Sequence, residues 1–372
     1  MLEKCSVCEE ENENTVLFCK KCVSPVNIRK ISDYTEEDKD FILSLLLNVV
    51  AKKKKKVIEK KKQIIDSLFF DQYLNVYWLR PETAVWRTIE AEILKEWDCL
   101  QEPLLDLGCG DGINLSIAKG NKFSLEFDTF QGVKLDKKDI YDNVGEEYHP
   151  ILTNQIEEKI SSGIDIKKSL VKKAQMLNTY KEILEGDIHN LPYLSKTFRT
   201  VYSNVIKDFE NVQPILKEVN RVLQKDGQLI LTTPNNKFKK NLFFINEAKK
   251  LEEKNDLKKA QLFVNYDRGR SVYSATQKSL EEWKDELQRA GFILEKVITY
   301  ASPDLIKLFD IGTRAFSVDI IKKYDEYKNK DLGKTMKEIW IPVIKKMFEV
   351  YLDKIEDLEG GFMILKAKKV TI

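Results

Sequence analysis

From about residue 100 onward, apolar runs of strand length alternate with stretches of helical period. Leu104–Leu107 is apolar apart from Asp106 and leads into a helical segment, Ile113–Ala118. Gly163–Ile166, Phe198–Ile206, Gln228–Thr233, Gly291–Tyr300 and Gly360–Ala367 read as further strands. Helical stretches separate them: Ser169–Leu177, Asn211–Leu223 with Lys225-Asp226-Gly227 as its stop, and Thr276–Ala290 capped by Thr276 or Ser279. Such alternation predicts an α/β fold, a parallel sheet with helices on both faces. Asn235–Leu262 and Pro303 to about Asp357 read as helical excursions from that sheet. Ahead of it, Asp33–Trp97 is helical: Thr35-Glu36-Glu37-Asp38 signals a start, and Phe41–Val50 is apolar. Pro81 suits a first helical turn, after which Trp86, Ile89 and Ile93 share one face, with Arg87 and Glu90 beside it.

The strand Leu104–Leu107 ends in Gly108-Cys109-Gly110-Asp111-Gly112. A strand, a glycine-rich turn and a helix present backbone N–H groups and a helix N-terminus to a ligand. The spacing is G-x-G-x-G, not the G-x-G-x-x-G of dinucleotide binders. Asp106-Leu107-Gly108-Cys109-Gly110-Asp111-Gly112 resembles the first motif of the class I S-adenosylmethionine-dependent methyltransferases (methyltransferase type 11-like), and the resemblance extends over about Pro103–Pro234. It implies a Rossmann-like seven-stranded sheet whose last strand is antiparallel, with S-adenosylmethionine as cofactor and Asp106, Gly108, Gly110 and Gly112 at its methionine end.

The same resemblance implies an acidic residue on the ribose at the end of the second strand. Asp136 lies 24 residues after Gly112 and has the ordinary spacing, whereas Asp165 lies 53 residues after it. Asp165 is preferred, because a helix and then Glu185-Gly186-Asp187 follow it, while Asp136 precedes turn residues without helical period. Residues 121–160 then form an insertion, expected to shape the substrate pocket. Gly186-Asp187-Ile188 resembles the adenine-binding turn, with Asp187 accepting from the exocyclic amine and the Ile188 N–H meeting a ring nitrogen. Relatives often carry a His after the fourth strand; here the stretch is Asn204-Val205-Ile206-Lys207-Asp208. The chain has two histidines, of which His189 falls at the adenine end and His149 in the insertion, so no catalytic residue is assigned. Arg87 is a candidate for the methionine carboxylate, or else for a surface ion pair with Glu90. Arg268, Arg270 and Arg314, on the excursions, are candidates for an acidic or phosphorylated acceptor or for structural ion pairs.

Cys5, Cys8, Cys19 and Cys22 form C-x2-C-x10-C-x2-C, a spacing suited to tetrahedral Zn²⁺ with no open position. A module of about 30 residues buries too little apolar surface to fold alone, so the metal would be structural. The 372 residues thus divide into a small four-cysteine zinc ribbon (1–30), a helical segment covering the cofactor site (31–100) and a class I methyltransferase domain (101–372). Insertions fall at about 121–160, 235–275 and 303–357. Charged residues are 33% of the chain, yet the net charge is only +2, which argues against a dedicated polyanion binder. The lysines at 52–56 and 60–62 read as a solvated helix face or as a contact for nucleic acid or an anionic surface. The N-terminus lacks the apolar core of a signal peptide, and the longest apolar stretch, Phe41–Ala51, is too short for a membrane span; a cytoplasmic setting is expected. The expected activity is methylation of a small metabolite or glycan-type acceptor. Alternatives are an RNA methyltransferase that contacts RNA through the ribbon and lysines, and a non-catalytic zinc-ribbon interaction protein that retains the fold. The oligomeric state is left open.

Overall fold

The computed structural model describes residues 2–4, 11–13, 34–58, 68–130, 144, 148–267, 271, 277–327, 330–353 and 355–370. Cys5, Cys8, Cys19, Cys22, Asp136, Arg268, Arg270 and Thr276 lie outside them. At the N-terminus β1 (Leu2–Lys4) and β2 (Glu11–Glu13) pair antiparallel, with Leu2 opposite Glu13 and Lys4 opposite Glu11.

Helix α1 (Glu36–Ile58) starts where the sequence predicts. Thr35 Oγ1 accepts the Asp38 N–H at 3.2 Å and Asp38 Oδ2 accepts the Thr35 N–H at 2.7 Å, a reciprocal cap that satisfies two terminal donors. Within the lysine run, Lys53 is buried and its Nζ meets Asp353 Oδ2 at 2.9 Å, so this lysine is a structural ion pair. Helices α2 (Leu68–Val76) and α3 (Pro81–Glu96) follow, and α3 has Pro81 in its first turn. The sequence places Trp86, Ile89 and Ile93 on one buried face; in the structure α3 is buried nearly all round, Thr88, Glu90 and Ala91 included.

The main domain runs β3 (Leu104–Leu107), α4 (Ile113–Ala118), then a small antiparallel pair, β4 (Lys122–Phe123) with β5 (Leu152–Asn154). That pair lies within the expected insertion, whose Phe123, Phe127, Phe130 and Tyr148 are buried. The described part of the insertion is therefore packed structure. Next come β6 (Ile160–Asp165), α5 (Lys168–Leu177), β7 (Tyr180–Glu185), β8 (Phe198–Ser203), α6 (Gln213–Val222) and β9 (Leu223–Pro234). The predicted stop Lys225-Asp226-Gly227 falls inside β9, which is longer than the expected Gln228–Thr233. The first excursion contains α7 (Phe238–Asn241), α8 (Phe244–Glu253) and α9 (Leu257–Asp267). Helix α10 (Leu280–Arg289), with Ser279 and Glu282 forming a full capping box, leads to β10 (Phe292–Tyr300). The second excursion contains α11 (Pro303–Ile311), α12 (Arg314–Tyr327) and α13 (Lys330–Phe348), and β11 (Phe362–Lys369) closes the domain.

The seven-stranded sheet has the order β10-β11-β9-β8-β3-β6-β7. β11 is antiparallel to both neighbours, while β9, β8, β3, β6 and β7 pair parallel. Side chains alternate between two cores, as period 2 requires. On β8 and β9, Val201, Leu229 and Leu231 join one core with α6 and α10, and Tyr202 and Ile230 join the other with α2–α4. The chain leaves β3 toward β6 and β7, then crosses back to β8 on the other side. β3 is thus the topological switch point, and ligands of open α/β sheets bind in the crevice beyond the strand ends there. Among the described residues, no helix is long and apolar enough to cross a membrane.

Candidate active site

The glycine turn follows β3 directly, beside that crevice. Gly108 and Gly110 have φ of +78° and +57°. A Cβ on Gly108 would lie 2.3 Å from Val205 Cγ2, so this glycine admits the loop after β8. A Cβ on Gly110 would meet nothing within 4 Å, so its backbone faces open space. Gly112 is closed instead, with Tyr180 Cε2 2.9 Å from its would-be Cβ.

Asp165 is the junction of the site. As the last residue of β6 it sits beside β3, where Gly108 and Cys109 both donate N–H bonds to Ile164 O (2.9 and 3.0 Å). Its Oδ2 accepts the Gly110 N–H at 3.0 Å, its Oδ1 the Lys167 N–H at 2.9 Å, and its carbonyl the Gly186 N–H at 3.0 Å. The sequence brings these three segments together only by resemblance; the structure joins them at one residue.

Asp106 is buried, alternating with Leu105 and Leu107 onto the α2–α4 side of the sheet. Tyr180 Oη donates to its Oδ2 at 2.7 Å and lies 3.3 Å from the Gly112 carbonyl. Burial pushes the Asp106 carboxyl up to about 7; the Tyr180 hydrogen bond opposes this, and the neighbouring Asp165 adds to it. Burial also raises Asp111, against the pull of Lys173 and, more weakly, Arg87. Asp187 stands in the turn after β7, its side chain 57% exposed, and accepts from the His189 backbone N–H at 2.9 Å. That bond, with the His189 ring at 2.8 Å, lowers the Asp187 carboxyl. Ile188 is buried beside it.

Arg87 pairs with Glu90 Oε2 at 2.5 Å, but this is no surface pair: Glu90 is only 2% exposed and Arg87 25%. Burial disfavours the guanidinium charge, and Glu90 more than offsets it, so the Arg87 pKa rises well above the ordinary value. His149 is exposed, and no His lies after β8, where Lys207 is buried and paired with Asp208 at 2.7 Å. Arg314 opens α12. Sequence reasoning missed Tyr180, Tyr202 and Tyr300; their only signal is a tyrosine in or at the end of a strand. Among the described residues, no group of three or more His, Cys, Asp or Glu side chains could hold a metal ion.

Residues 145–231, spanning β5 to β9, match the family model described as a methyltransferase domain. No curated protein matches the chain. Solved structures resemble it distantly. A SAM-dependent methyltransferase of Thermotoga maritima is 17% identical, with 77% of this chain and 90% of that chain covered and a TM-score of 0.38. A Galdieria sulphuraria protein described as a sarcosine dimethylglycine methyltransferase is 13% identical over 78% and 88%, with a TM-score of 0.40. Geranyl diphosphate C-methyltransferase of Streptomyces coelicolor is 11% identical over 78% and 84%, with a TM-score of 0.38. The domain match over residues 145–231 and the strand order, rather than these distant likenesses, support a SAM-dependent methyltransferase.

Proposed function

We propose that the crevice above β3 binds S-adenosylmethionine and that the chain methylates a small metabolite or glycan-type acceptor. The observation that carries the cofactor site is the Asp165 junction, which links the glycine turn, the end of β6 and the turn bearing Asp187. In this reading Asp165 holds the ribose hydroxyls, Asp187 and Ile188 the adenine, and Asp106, Gly108 and Gly110 the methionine end. Gly112 shapes the start of α4, and Arg87 meets the methionine carboxylate. The donor set fits the group: the open face of Gly110 admits close approach, and the carboxylates of Asp106 and Asp165 complement its cationic and hydroxyl groups.

When bound, the cofactor supplies a methyl group on a positively charged sulfur. The protein's part is to orient the acceptor in line with that methyl and to exclude water. Burial of Asp106 and the tyrosines around it keeps this end of the crevice dry. The helical excursions after β9 and β10 support an enclosed pocket for a compact acceptor. In the same reading Cys5, Cys8, Cys19 and Cys22 hold one structural Zn²⁺, supported by the β1–β2 pairing that brackets residues 5–10.

Equilibrium binding of labelled S-adenosylmethionine to the wild type and to D106A/D165A tests the site. Binding should fall at least about tenfold, the scale of one lost hydrogen bond to a charged group; unchanged binding by the double variant would sink the assignment. Label transfer into the small-molecule fraction of a cell extract supports the acceptor class, and transfer into RNA alone would overturn it.

A further inference from the structure

Glu90 is a buried hub. Its Oε2 accepts from Arg87 at 2.5 Å, while its Oε1 accepts from Tyr300 Oη at 2.5 Å and from Trp86 Nε1 at 3.2 Å. Tyr300 ends β10 and is fully buried. The Trp86 ring is held among Phe362 (4.5 Å between centroids), Phe309 (4.9 Å) and Tyr300 (6.1 Å). Glu90 therefore cannot move without disturbing β10, β11 and α11.

Arg87 differs from its anchor. It keeps a quarter of its side chain exposed. Helix α3 packs against α4, whose N-cap is Gly112, so the partly exposed guanidinium lies on the face of the sheet that carries Asp106, with one of its five donors on Glu90 and the fork still able to receive an anion. A bare buried carboxylate would draw the whole fork toward itself. Sharing Glu90 among three donors leaves the guanidinium positive potential for a ligand.

We infer that Tyr300 and Trp86 are positioning residues: by occupying Glu90 Oε1 they hold Arg87 at the angle and charge needed to receive a carboxylate in the crevice. This rests on the cofactor site proposed above, and it deepens that site by assigning residues on β10 and α3 that touch no ligand.

The test compares S-adenosylmethionine with its decarboxylated analogue, which lacks only the carboxylate. The protein is the full chain, and binding is measured calorimetrically. Wild type should prefer S-adenosylmethionine, and R87Q should erase the preference. Y300F should cut the preference about 3- to 10-fold, the range for weakening one charge-assisted hydrogen bond, without changing affinity for the analogue. W86F, which removes the second donor to the same oxygen, should act in the same direction and serves if Y300F does not fold. Equal weakening of both ligands in Y300F and W86F would mark a merely structural role and overturn the inference. So would an unchanged preference in both while R87Q loses it, though the cofactor site would then stand. An unchanged preference in R87Q overturns the inference by removing Arg87 from the carboxylate. Failure of the wild type to bind either ligand overturns the cofactor reading itself.

Discussion

Substituting Gly110 by alanine separates backbone strain from ligand exclusion. At φ +57° an alanine sits in the left-handed region, which costs about 1–2 kcal/mol. No protein atom lies within 4 Å of the added methyl, so packing contributes nothing further. Gly108→Ala is the contrasting case. It has the same kind of strain at φ +78°, plus an overlap at 2.3 Å with Val205. Overpacking of that kind adds about 1–3 kcal/mol, so G108A should lose about 2–5 kcal/mol in all. Urea unfolding of both variants measures these losses. Labelled S-adenosylmethionine binding then reads the second effect. The methyl of G110A occupies the space assigned to the cofactor, so affinity should fall at least about tenfold, or about 1.4 kcal/mol, in a protein that remains folded. A folded G110A with wild-type affinity would show that the open face of Gly110 is not where the cofactor lies.

Asp106 gives a pH prediction. Its folded pKa, about 7, lies above the ordinary 3.8, so the folded state keeps a proton that the unfolded state has already lost. Stability from this group is therefore present below about pH 4, falls as pH rises toward 7 and is flat above, with a ceiling of about 4 kcal/mol. D106N should be more stable than wild type at pH 8 and equal near pH 4 in urea melts; a pH-independent difference would refute the argument. Cofactor affinity of the wild type should rise from pH 6 to 8 as the carboxylate forms, and D106N should lack that rise. Y180F removes the hydrogen bond that holds Asp106 down, so the midpoint of this rise should move to higher pH in a binding titration. Metal analysis should find about one zinc per chain, lost in C5S/C22S. A metal-free wild type that folds normally would overturn the ribbon.

Much of this architecture was legible because its signals are local. Glycine at positive φ, period-2 apolar runs and capping residues each declare themselves within a few residues, as Gly108, β8 and Ser279 do. Asp165 could be preferred to Asp136 on what followed it, and in the structure Asp165 ends the strand beside β3. Long-range chemistry was not legible. Glu90 and Tyr300 are 210 residues apart, and nothing near either announces the other. The Arg87–Glu90 spacing was visible, yet its burial was not, because α3 is covered by elements distant in sequence, α11, α13 and β11. Lys225-Asp226-Gly227 does follow the end of its helix, since α6 stops at Val222, and it forms an irregularity near the start of β9. The pairing with β8 skips the triplet, running from Phe198 opposite Leu223 to Thr200 opposite Gln228, and Asp226 has a φ of +60°.

The position of β11 has a consequence for synthesis on the ribosome. The sheet's last strand in chain order, β11, is an interior strand, inserted between β9 and β10. Until residues 362–369 emerge, β9 presents an open edge and β10 has no partner in the sheet. Trp86 likewise lacks Phe362, against which it packs. A nascent chain that already carries the glycine turn, Asp165 and Asp187 is therefore an incomplete sheet with two sticky borders, and the domain closes only once β11 has been made.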